Sequence, residues 1–229
     1  MENELYEQAA RLFAQKGLAG TSFQDIASAM GVSRQALYRY ARNKDDILAK
    51  LVREMIAVTT TLSERFRDDS VPADTRLRAV VHDLAFEVAR HPFRHRLIAQ
   101  SESVLTGRLA DEHTAQRRRF VSDTVALIET GQAAGVFRAV DAHAAALSVL
   151  GLANWVAWWF HGDTTSAAHA AELVADMAVR GLCTPQRLAG EATGPRAALE
   201  LIKDGVRTLE MALDHPTALQ SPSLAERLT

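Results

Sequence analysis

Apolar residues recur along this chain with the three- and four-residue spacing that is typical of amphipathic helices. Over residues 3–16, Leu5, Ala9 and Phe13 share one face, and Gly17 follows as a residue type that commonly ends helices. The sequence lacks runs that alternate apolar and polar residues, as half-buried strands do. We therefore predict an all-α protein.

Polar caps and glycines divide this pattern into separate helices. Ser22, Ser33 and Asn43 are suited to start the second, third and fourth helices of the chain. The third helix is predicted to end near Tyr40 and the fourth near Phe66. Further helices are predicted at about 74–90, 93–105, 108–134, 141–160, 166–182 and 196–214. The intervening residues 183–195 are predicted to form a loop.

The polar stretch 67–74, which contains Pro72, is the clearest break in the helical pattern. The short helices before it predict a three-helix, helix-turn-helix domain over residues 1–46. A long fourth helix is expected to join this domain to a larger C-terminal helical domain over residues 47–215, followed by a flexible tail over 216–229.

Composition places limits on partners and compartment. The 229 residues carry a formal net charge of −2, so any affinity for nucleic acid must come from a local cluster of cations. The only cysteine, Cys183, is expected to be a small apolar helix residue, with a redox sensor as the alternative.

Residues 143–160 approach the length of a membrane span, but they include Asn154 and lie among amphipathic segments, which favours a buried helix. The N-terminal residues do not resemble a signal peptide, and we expect a cytoplasmic protein.

A cluster of cations without acids lies between Ser33 and Lys44. It belongs to a helix-turn-helix pattern over residues 22–40, with Gly31 in the turn and Leu37 as the apolar anchor of the second helix. The outward side chains of that helix include Arg, Gln and Ala, which suit guanine, adenine and the thymine methyl group in a major groove. The alternative is a solvated cationic face of a helical bundle.

Residues 9–52 resemble the DNA-binding domain of the TetR (tetracycline-repressor) family of bacterial transcription regulators. The family pattern is present as Phe13, Gly17, Thr21, Ile26, Ala27, Gly31, Val32, Ser33, Leu37, Tyr38 and Lys44. Ala41 departs from it, because the family usually has a bulky apolar residue there. This departure predicts looser packing of the third helix.

The resemblance implies a role for each matched position. The positions where the family reads bases are Gln24, Arg34, Gln35 and Ala36. The positions where it contacts phosphate, or supports such contacts, are Thr21, Ser22, Ser33, Tyr38, Tyr40 and Lys44. Arg39 is expected to serve either purpose.

The resemblance also implies an all-helical homodimer that binds a palindromic operator in double-stranded DNA, with its two reading heads about 34–36 Å apart. Repression relieved by an effector is the family default, and activation is the alternative. The larger domain is expected to bind the effector and to form the dimer through its helices at 141–160 and 166–182. The candidate dimer residues are Ala144, Ala145, Leu147, Leu173, Met177 and Arg180.

An apolar effector pocket is implied among the fifth to eighth helices. Its candidate residues are Phe86, Val88, Phe93, Leu97, Leu105, Phe120, Thr124, Asn154, Trp155 and Trp158. Trp155, Trp158 and Trp159 share one helical face, and they suit either this pocket or packing in the core or dimer interface. The helix at 196–214 exceeds the family minimum, and its role stays open.

The segment 153–160 also resembles TetR-type regulators that respond to acyl-CoA thioesters. A small hydrophobic effector, with an acyl-CoA as one example, is therefore our hypothesis. The basic runs 91–96 and 116–120 would supply cations for its phosphates; alternatively, both are solvated helix faces.

Other functional classes lack support in the sequence. It contains no glycine-rich phosphate loop, nucleophile elbow or zinc-protease helix, so we expect neither catalysis nor a cofactor. His91 and His95 are separated by Pro92 and lack further ligands nearby, so we expect no metal site. A helical adaptor that binds only protein is the remaining alternative, and no membrane partner is expected.

Overall fold

The computed structural model describes residues 2–101 and 105–191, together with residues 199, 202, 203 and 206. The helices are α1 (Glu2–Lys16), α2 (Phe23–Ala29), α3 (Arg34–Leu37), α4 (Lys44–Arg65), α5 (Ala73–Arg90), α6 (Pro92–Ser101), α7 (Gly107–Ala133), α8 (Ala142–Trp159), α9 (Thr164–Leu182) and α10 (Pro185–Glu191). Over these described residues the regular structure is helical throughout, apart from an isolated bridge between Phe137 and Cys183. The all-α prediction is confirmed.

The three N-terminal helices and the first half of α4 share one core. Leu5 and Phe13 of α1 pack there with Ile26 of α2, and all three are buried. Ala41 is 6% exposed in the same core, and its N–H donates a hydrogen bond to the Leu37 carbonyl at 3.1 Å. The small residue at position 41 is therefore fully enclosed, and looser packing is not observed there.

Helix α5 lies at the centre of the larger helical bundle. It packs against α7, α8 and α9. Arg76 of α5 is buried, donates a hydrogen bond to the Phe66 carbonyl at 2.7 Å and forms an ion pair with Asp69 at 2.8 Å. The polar stretch between α4 and α5 is thus fastened to the bundle.

The turn after α7 depends on a close approach at Gly131. A Cβ at this position would lie 2.2 Å from the ring of Phe137, so only glycine fits. The N–H groups of Val136 and Phe137 both donate hydrogen bonds to the Gly131 carbonyl, at 2.9 and 3.1 Å. This contact directs the chain from α7 into α8.

Two helix ends differ from the prediction. The third helix ends at Leu37 rather than Tyr40, because hydrogen bonds from Arg39 N–H to the Ala36 carbonyl and from Tyr40 N–H to the Leu37 carbonyl tighten it into a turn. The helix predicted at 93–105 ends at Ser101, so Leu105 lies outside it.

The loop predicted at 183–195 is wrong in part, because α10 occupies Pro185–Glu191. Thr184 caps this helix by accepting a hydrogen bond from Arg187 N–H at 3.3 Å, and Pro185 occupies the first helical position that proline favours. The dipeptide Thr-Pro is a helix-start signal that the prediction missed.

The described residues up to Cys183 form one compact unit, and α10 belongs to a second. Of the helix predicted at 196–214, the structure describes only Leu199, Ile202, Lys203 and Val206, which are helical and exposed. The predicted tail at 216–229 lies outside the described residues. The domain boundary between residues 46 and 47 stays a prediction.

Candidate nucleic-acid interface and effector cavity

Reciprocal caps and a glycine build the turn between α2 and α3. The hydroxyl of Ser22 accepts a hydrogen bond from Asp25 N–H at 3.1 Å, and the Asp25 carboxylate accepts bonds from the hydroxyl and N–H of Ser22. These last two bonds hold the pKa of Asp25 below its ordinary value. After α2, Gly31 has a φ of 66°, and Val32 N–H donates to the Ala27 carbonyl at 3.0 Å.

Helix α3 is anchored on one side and open on the other. Ser33 caps its start by accepting a hydrogen bond from Ala36 N–H at 3.2 Å. Leu37 is buried in the N-terminal core, whereas Arg34 and Gln35 are exposed. Because the first residues of a recognition helix meet the base edges, this placement suits both side chains to major-groove contacts.

Tyr38 follows α3 and supports its first residue. Its ring is 48% exposed and lies 5.2 Å from the ring of Phe23. The Nη2 of Arg34 donates a hydrogen bond to the Tyr38 hydroxyl at 2.9 Å. The aromatic side chain thus orients a cation at the exposed start of the helix.

The other predicted DNA contacts differ in accessibility. Ser22, Gln24 and Arg39 are exposed, as is Ser33. Ala36, Tyr40 and Lys44 are half-buried.

Two residues that were predicted to contact DNA phosphates donate hydrogen bonds to backbone carbonyls of the protein itself. Thr21 is only 1% exposed, and its hydroxyl donates hydrogen bonds to the carbonyls of Gly17 at 2.9 Å and Leu12 at 3.3 Å. The Lys44 ammonium donates to the Leu18 carbonyl at 2.6 Å. Thr21 therefore joins α1 to the start of α2 from inside the core, a position that does not suit direct contact with DNA.

A cavity of about 790 Å³ lies among α4, α5, α6, α7 and α8. Most of its wall is apolar. The apolar lining residues are Leu51, Met55, Ile56, Val58, Leu84, Ile98, Ala99, Phe120, Val121, Val125, Leu147, Leu150 and Trp158. This size and lining suit a small organic ligand.

Basic residues of two helices line the same cavity. Arg94 and His95 come from α6, and Arg117 and Arg118 come from α7. The other lining residues are Glu54, Thr59, Glu87, His113, Gln116, Ser122, His143, Gly151 and Asn154. Both basic runs singled out in the sequence thus contribute to the cavity wall, so neither is only a solvated helix face.

His95 is a neutral group in this wall at physiological pH. Burial lowers its pKa to about 4, and the nearby charges of His91 and Arg94 act in the same direction. A neutral imidazole can donate one hydrogen bond and accept another. His95 therefore offers a ligand hydrogen bonding without charge.

The structure brings only part of the predicted pocket together. Phe120, Asn154 and Trp158 line the cavity. Val88, Leu97, Leu105 and Thr124 are buried away from its wall, and Phe86, Phe93 and Trp155 also lie outside it. The sequence prediction missed Met55 and Ile56, which pack against the N-terminal core and also line the cavity; their position on the apolar face of the fourth helix was a usable signal.

The tryptophans of α8 connect the cavity wall to an exposed surface. Trp155 and Trp158 stack with their ring centres 5.3 Å apart, and they are 61% and 37% exposed. Trp159 is 46% exposed. Burial in the core of this chain does not explain the three rings, whereas Trp158 does line the cavity.

Apolar side chains on α8 and α9 are also open to solvent. Leu147, Leu173 and Met177 are 50%, 58% and 56% exposed, and Ala144 and Arg180 are exposed as well. Ala145 differs, because it is 8% exposed and faces the interior of its own chain. The expectation that Ala145 lies on an interface therefore does not fit its burial.

A capped helix-turn-helix with an exposed arginine on α3, together with a helical bundle that contains a ligand-sized cavity, is an arrangement typical of DNA-binding transcription regulators. A family model described as "Bacterial regulatory proteins, tetR family" matches residues 5–51. A second, described as "Tetracyclin repressor-like, C-terminal domain", matches residues 70–182. The chain belongs to the TetR family, as its resemblance predicted.

Individual relatives are transcription regulators. The chain is 30% identical over 102 residues to the repressor KstR2 of Mycobacterium tuberculosis. The matched residues make up 44% of this chain and 50% of KstR2. It thus spans half the length of that relative. Among solved structures, the TetR-family regulator PfmR of Thermus thermophilus is 28% identical with a TM-score of 0.64, covering 77% of this chain and 97% of PfmR. AibR, in complex with isovaleryl coenzyme A and operator DNA, is 27% identical with a TM-score of 0.62, covering 80% of this chain and 97% of AibR.

The hydropathy of α8 does not make it a membrane segment. None of the helices in the described part of the chain combines the length and apolar character that crossing a bilayer requires.

Proposed function

We propose that this chain is a dimeric repressor that binds a palindromic operator and is released by a hydrophobic effector, with an acyl-CoA as our first candidate. The observation that carries the proposal is the apolar cavity with arginines in its wall, in a chain whose α3 presents Arg34 and Gln35 to solvent. Residues 1–46 would bind DNA, and the following helices to residue 215 would bind the effector and form the dimer.

The operator would be read through α3. Arg34 and Gln35 are exposed at its start, and they have the donor and acceptor groups that recognise guanine and adenine. Ser22, Ser33, Tyr38 and Arg39 surround them on the exposed side of the helix-turn-helix and would hold phosphates. Lys44 and Tyr40 would support this surface from its half-buried margin.

A second copy of this chain would cover the exposed faces of α8 and α9. Leu147, Leu173 and Met177 are large apolar side chains at least half exposed in one chain, an arrangement that favours an interface. A dimer would also present two reading helices to the two halves of a palindrome. Trp155 and Trp159 lie on the same helix and would join this interface or its margin.

The effector would place its apolar part against Phe120, Leu150 and Trp158. The phosphates of an acyl-CoA would be bound by Arg117 and Arg118, which are exposed and line the cavity. The complex of AibR with isovaleryl coenzyme A and operator DNA makes this chemistry the first to test.

The test is a selection of genomic DNA fragments by the purified protein, followed by titration of the selected complex. We expect a palindromic operator, and we expect isovaleryl-CoA or a longer acyl-CoA to release it while free CoA does not. Release by a planar cationic drug, but by none of the acyl-CoAs, would reject the acyl-CoA effector. Failure to enrich any DNA sequence would reject the regulator itself.

A further inference from the structure

Helix α6 lies between the core of the helix-turn-helix and the cavity. Its residues Leu97 and Ile98 are buried in the core that α1, α2, α3 and α4 share. Arg94, His95 and Ile98 of the same helix line the cavity. A ligand in the cavity would therefore contact the helix on which the DNA-reading helices are supported.

Arg94 joins three helices at this point. Its Nε lies 2.7 Å from Oε1 of Glu7 on α1, and its Nη1 donates a hydrogen bond at 2.8 Å to Oε2 of Glu54 on α4. The Arg94 side chain is only 16% exposed, so water screens these pairs less than it screens a surface pair. Arg94 and Glu54 both belong to the cavity wall.

Glu7 is held in its charged form. Burial is the largest single influence and acts to raise its pKa, but the hydrogen bond from His91 and the favourable interactions with Arg94 and His91 act together in the other direction, and the pKa lies below its ordinary value. The Nδ1 of His91 is 2.6 Å from the same Oε1 that Arg94 contacts. At neutral pH, Glu7 is thus an anionic partner that ties α1 to α6.

We propose that Arg94 senses an anionic group on the effector and transmits its binding to the helix-turn-helix, an inference that rests on the function proposed above. The guanidinium has one planar set of donors, of which Nη1 donates a hydrogen bond to Glu54, whereas Nε lies within ion-pair distance of Glu7 without a hydrogen bond. An anion in the cavity competes for those donors. As Arg94 turns toward the ligand, α1 and α4 lose the cation that they share.

This competition predicts the class of effector. A ligand with an apolar body and one anionic group near α6 would release DNA, whereas the same body without the anion would bind and leave DNA in place. A matched pair of probes exists for this comparison. The anionic member is 8-anilinonaphthalene-1-sulfonate, and the neutral member is N-phenyl-1-naphthylamine.

The competition also makes a prediction about the acidic partners. Glu54→Gln removes a competitor for Arg94, so this variant should bind the anionic probe more tightly than the wild-type protein does. Its affinity for the neutral probe should be unchanged. Because coupling between two ligands is reciprocal, the anionic probe should weaken operator binding by the same factor as operator weakens binding of the probe.

The experiment measures fluorescence titrations of both probes with and without operator DNA, on the wild-type protein and on Arg94→Gln. We expect the anionic probe to lower the operator affinity of the wild type about tenfold, and the neutral probe to change it less than about twofold. In Arg94→Gln, the affinity for the anionic probe should fall about tenfold, as expected for the loss of a charge-assisted hydrogen bond. The affinity for the neutral probe should stay the same.

Arg96→Gln is the matched control, because Arg96 lies on the same helix as Arg94 but donates a hydrogen bond to the Ala157 carbonyl and does not line the cavity. It should keep the effect of the anionic probe on the operator. Circular dichroism checks the fold of each variant, and if Arg94→Gln is unfolded, the Glu54→Gln result decides. Unchanged or weaker binding of the anionic probe by Glu54→Gln would overturn the proposal.

Three failures can be told apart. Equal effects of the two probes on the operator complex of the wild type, or an undiminished effect in Arg94→Gln, would overturn the role of Arg94 and leave the regulator standing. Failure of both probes to bind the wild type would overturn the inference about the cavity. Failure of the wild type to bind the selected operator would overturn the proposed function.

Discussion

The guanidinium of Arg34 is held by the side chain of Tyr38. Its Nη2 donates a hydrogen bond to the Tyr38 hydroxyl at 2.9 Å, and its Cζ lies 5.8 Å from the centre of the tyrosine ring. Tyr38 in turn contacts Phe23 of α2. The fold therefore prepares the orientation of Arg34, which we propose to read bases, and this would reduce the ordering that binding requires.

Arg34→Ala should lower affinity for the selected operator by about 1–3 kcal/mol while lowering affinity for random DNA much less, because base contacts carry specificity. Fluorescence anisotropy with both DNAs at one salt concentration measures this difference. Arg108→Ala is a control, because Arg108 is an exposed arginine paired with Glu112 on α7. Equal losses on both DNAs would contradict a base-reading role for Arg34.

Thr21→Val should reduce the free energy of unfolding by about 1–3 kcal/mol, because it removes a buried hydroxyl that serves two backbone carbonyls. Denaturation by urea measures the change. Ser28→Ala, at an exposed position of α2, should stay within about 0.5 kcal/mol of the wild type. Unchanged stability of Thr21→Val with weaker DNA binding would instead support the phosphate contact that the family resemblance implied.

Acid should destabilise the folded protein through His95. Its folded pKa is lowered from 6.5 to about 4, so the unfolded chain takes up a proton first as the pH falls. The contribution of His95 to the free energy of unfolding is constant above pH 6.5. Between pH 6.5 and about pH 4 this contribution lowers the free energy of unfolding progressively, by at most about 3 kcal/mol.

Unfolding of His95→Gln between pH 7 and pH 4.5 tests this. The variant should lose less stability over this interval than the wild type does, because Gln does not titrate. His161→Gln is a control at an exposed histidine. An identical pH dependence in His95→Gln and the wild type would show that His95 is not held neutral.

Leu173→Glu combined with Met177→Glu should produce a monomer, because both side chains are more than half exposed on α9 and a charge at each would oppose an apolar interface. Light scattering after size-exclusion chromatography measures the mass of the variant. Loss of the dimer should also lower its affinity for the operator. Val140→Glu, at an exposed apolar residue before α8, should leave the mass of the wild type unchanged. A dimeric double variant would locate the interface elsewhere.

Side-chain caps allowed the starts of α2, α3 and α4 to be predicted from the sequence. Ser22, Ser33 and Asn43 each accept the hydrogen bond that the prediction required of them. α10 was missed because its Thr-Pro start follows α9 after a single residue, Cys183, and its short length gives a weak periodic signal. A sequence predicts an interaction such as a helix cap when the two residues are only three or four positions apart.

The cavity was less predictable, because periodicity identifies the buried side of a helix but not what that side meets. Val88 and Thr124 are buried as expected, but they pack inside the bundle instead of lining the cavity. The ion pairs of Arg94 with Glu7 and Glu54 join residues that are far apart in sequence, and the hydrophobic pattern carries no information about them.

We propose that one chain both binds an operator and is released from it by an anionic apolar ligand. Anisotropy of a labelled operator, titrated with wild-type protein at fixed salt with and without saturating isovaleryl-CoA, tests both parts at once. We expect sequence-specific binding that weakens about tenfold or more with isovaleryl-CoA and is unchanged with free CoA. Operator affinity that is the same with and without acyl-CoA, across a series of acyl chain lengths, would contradict it.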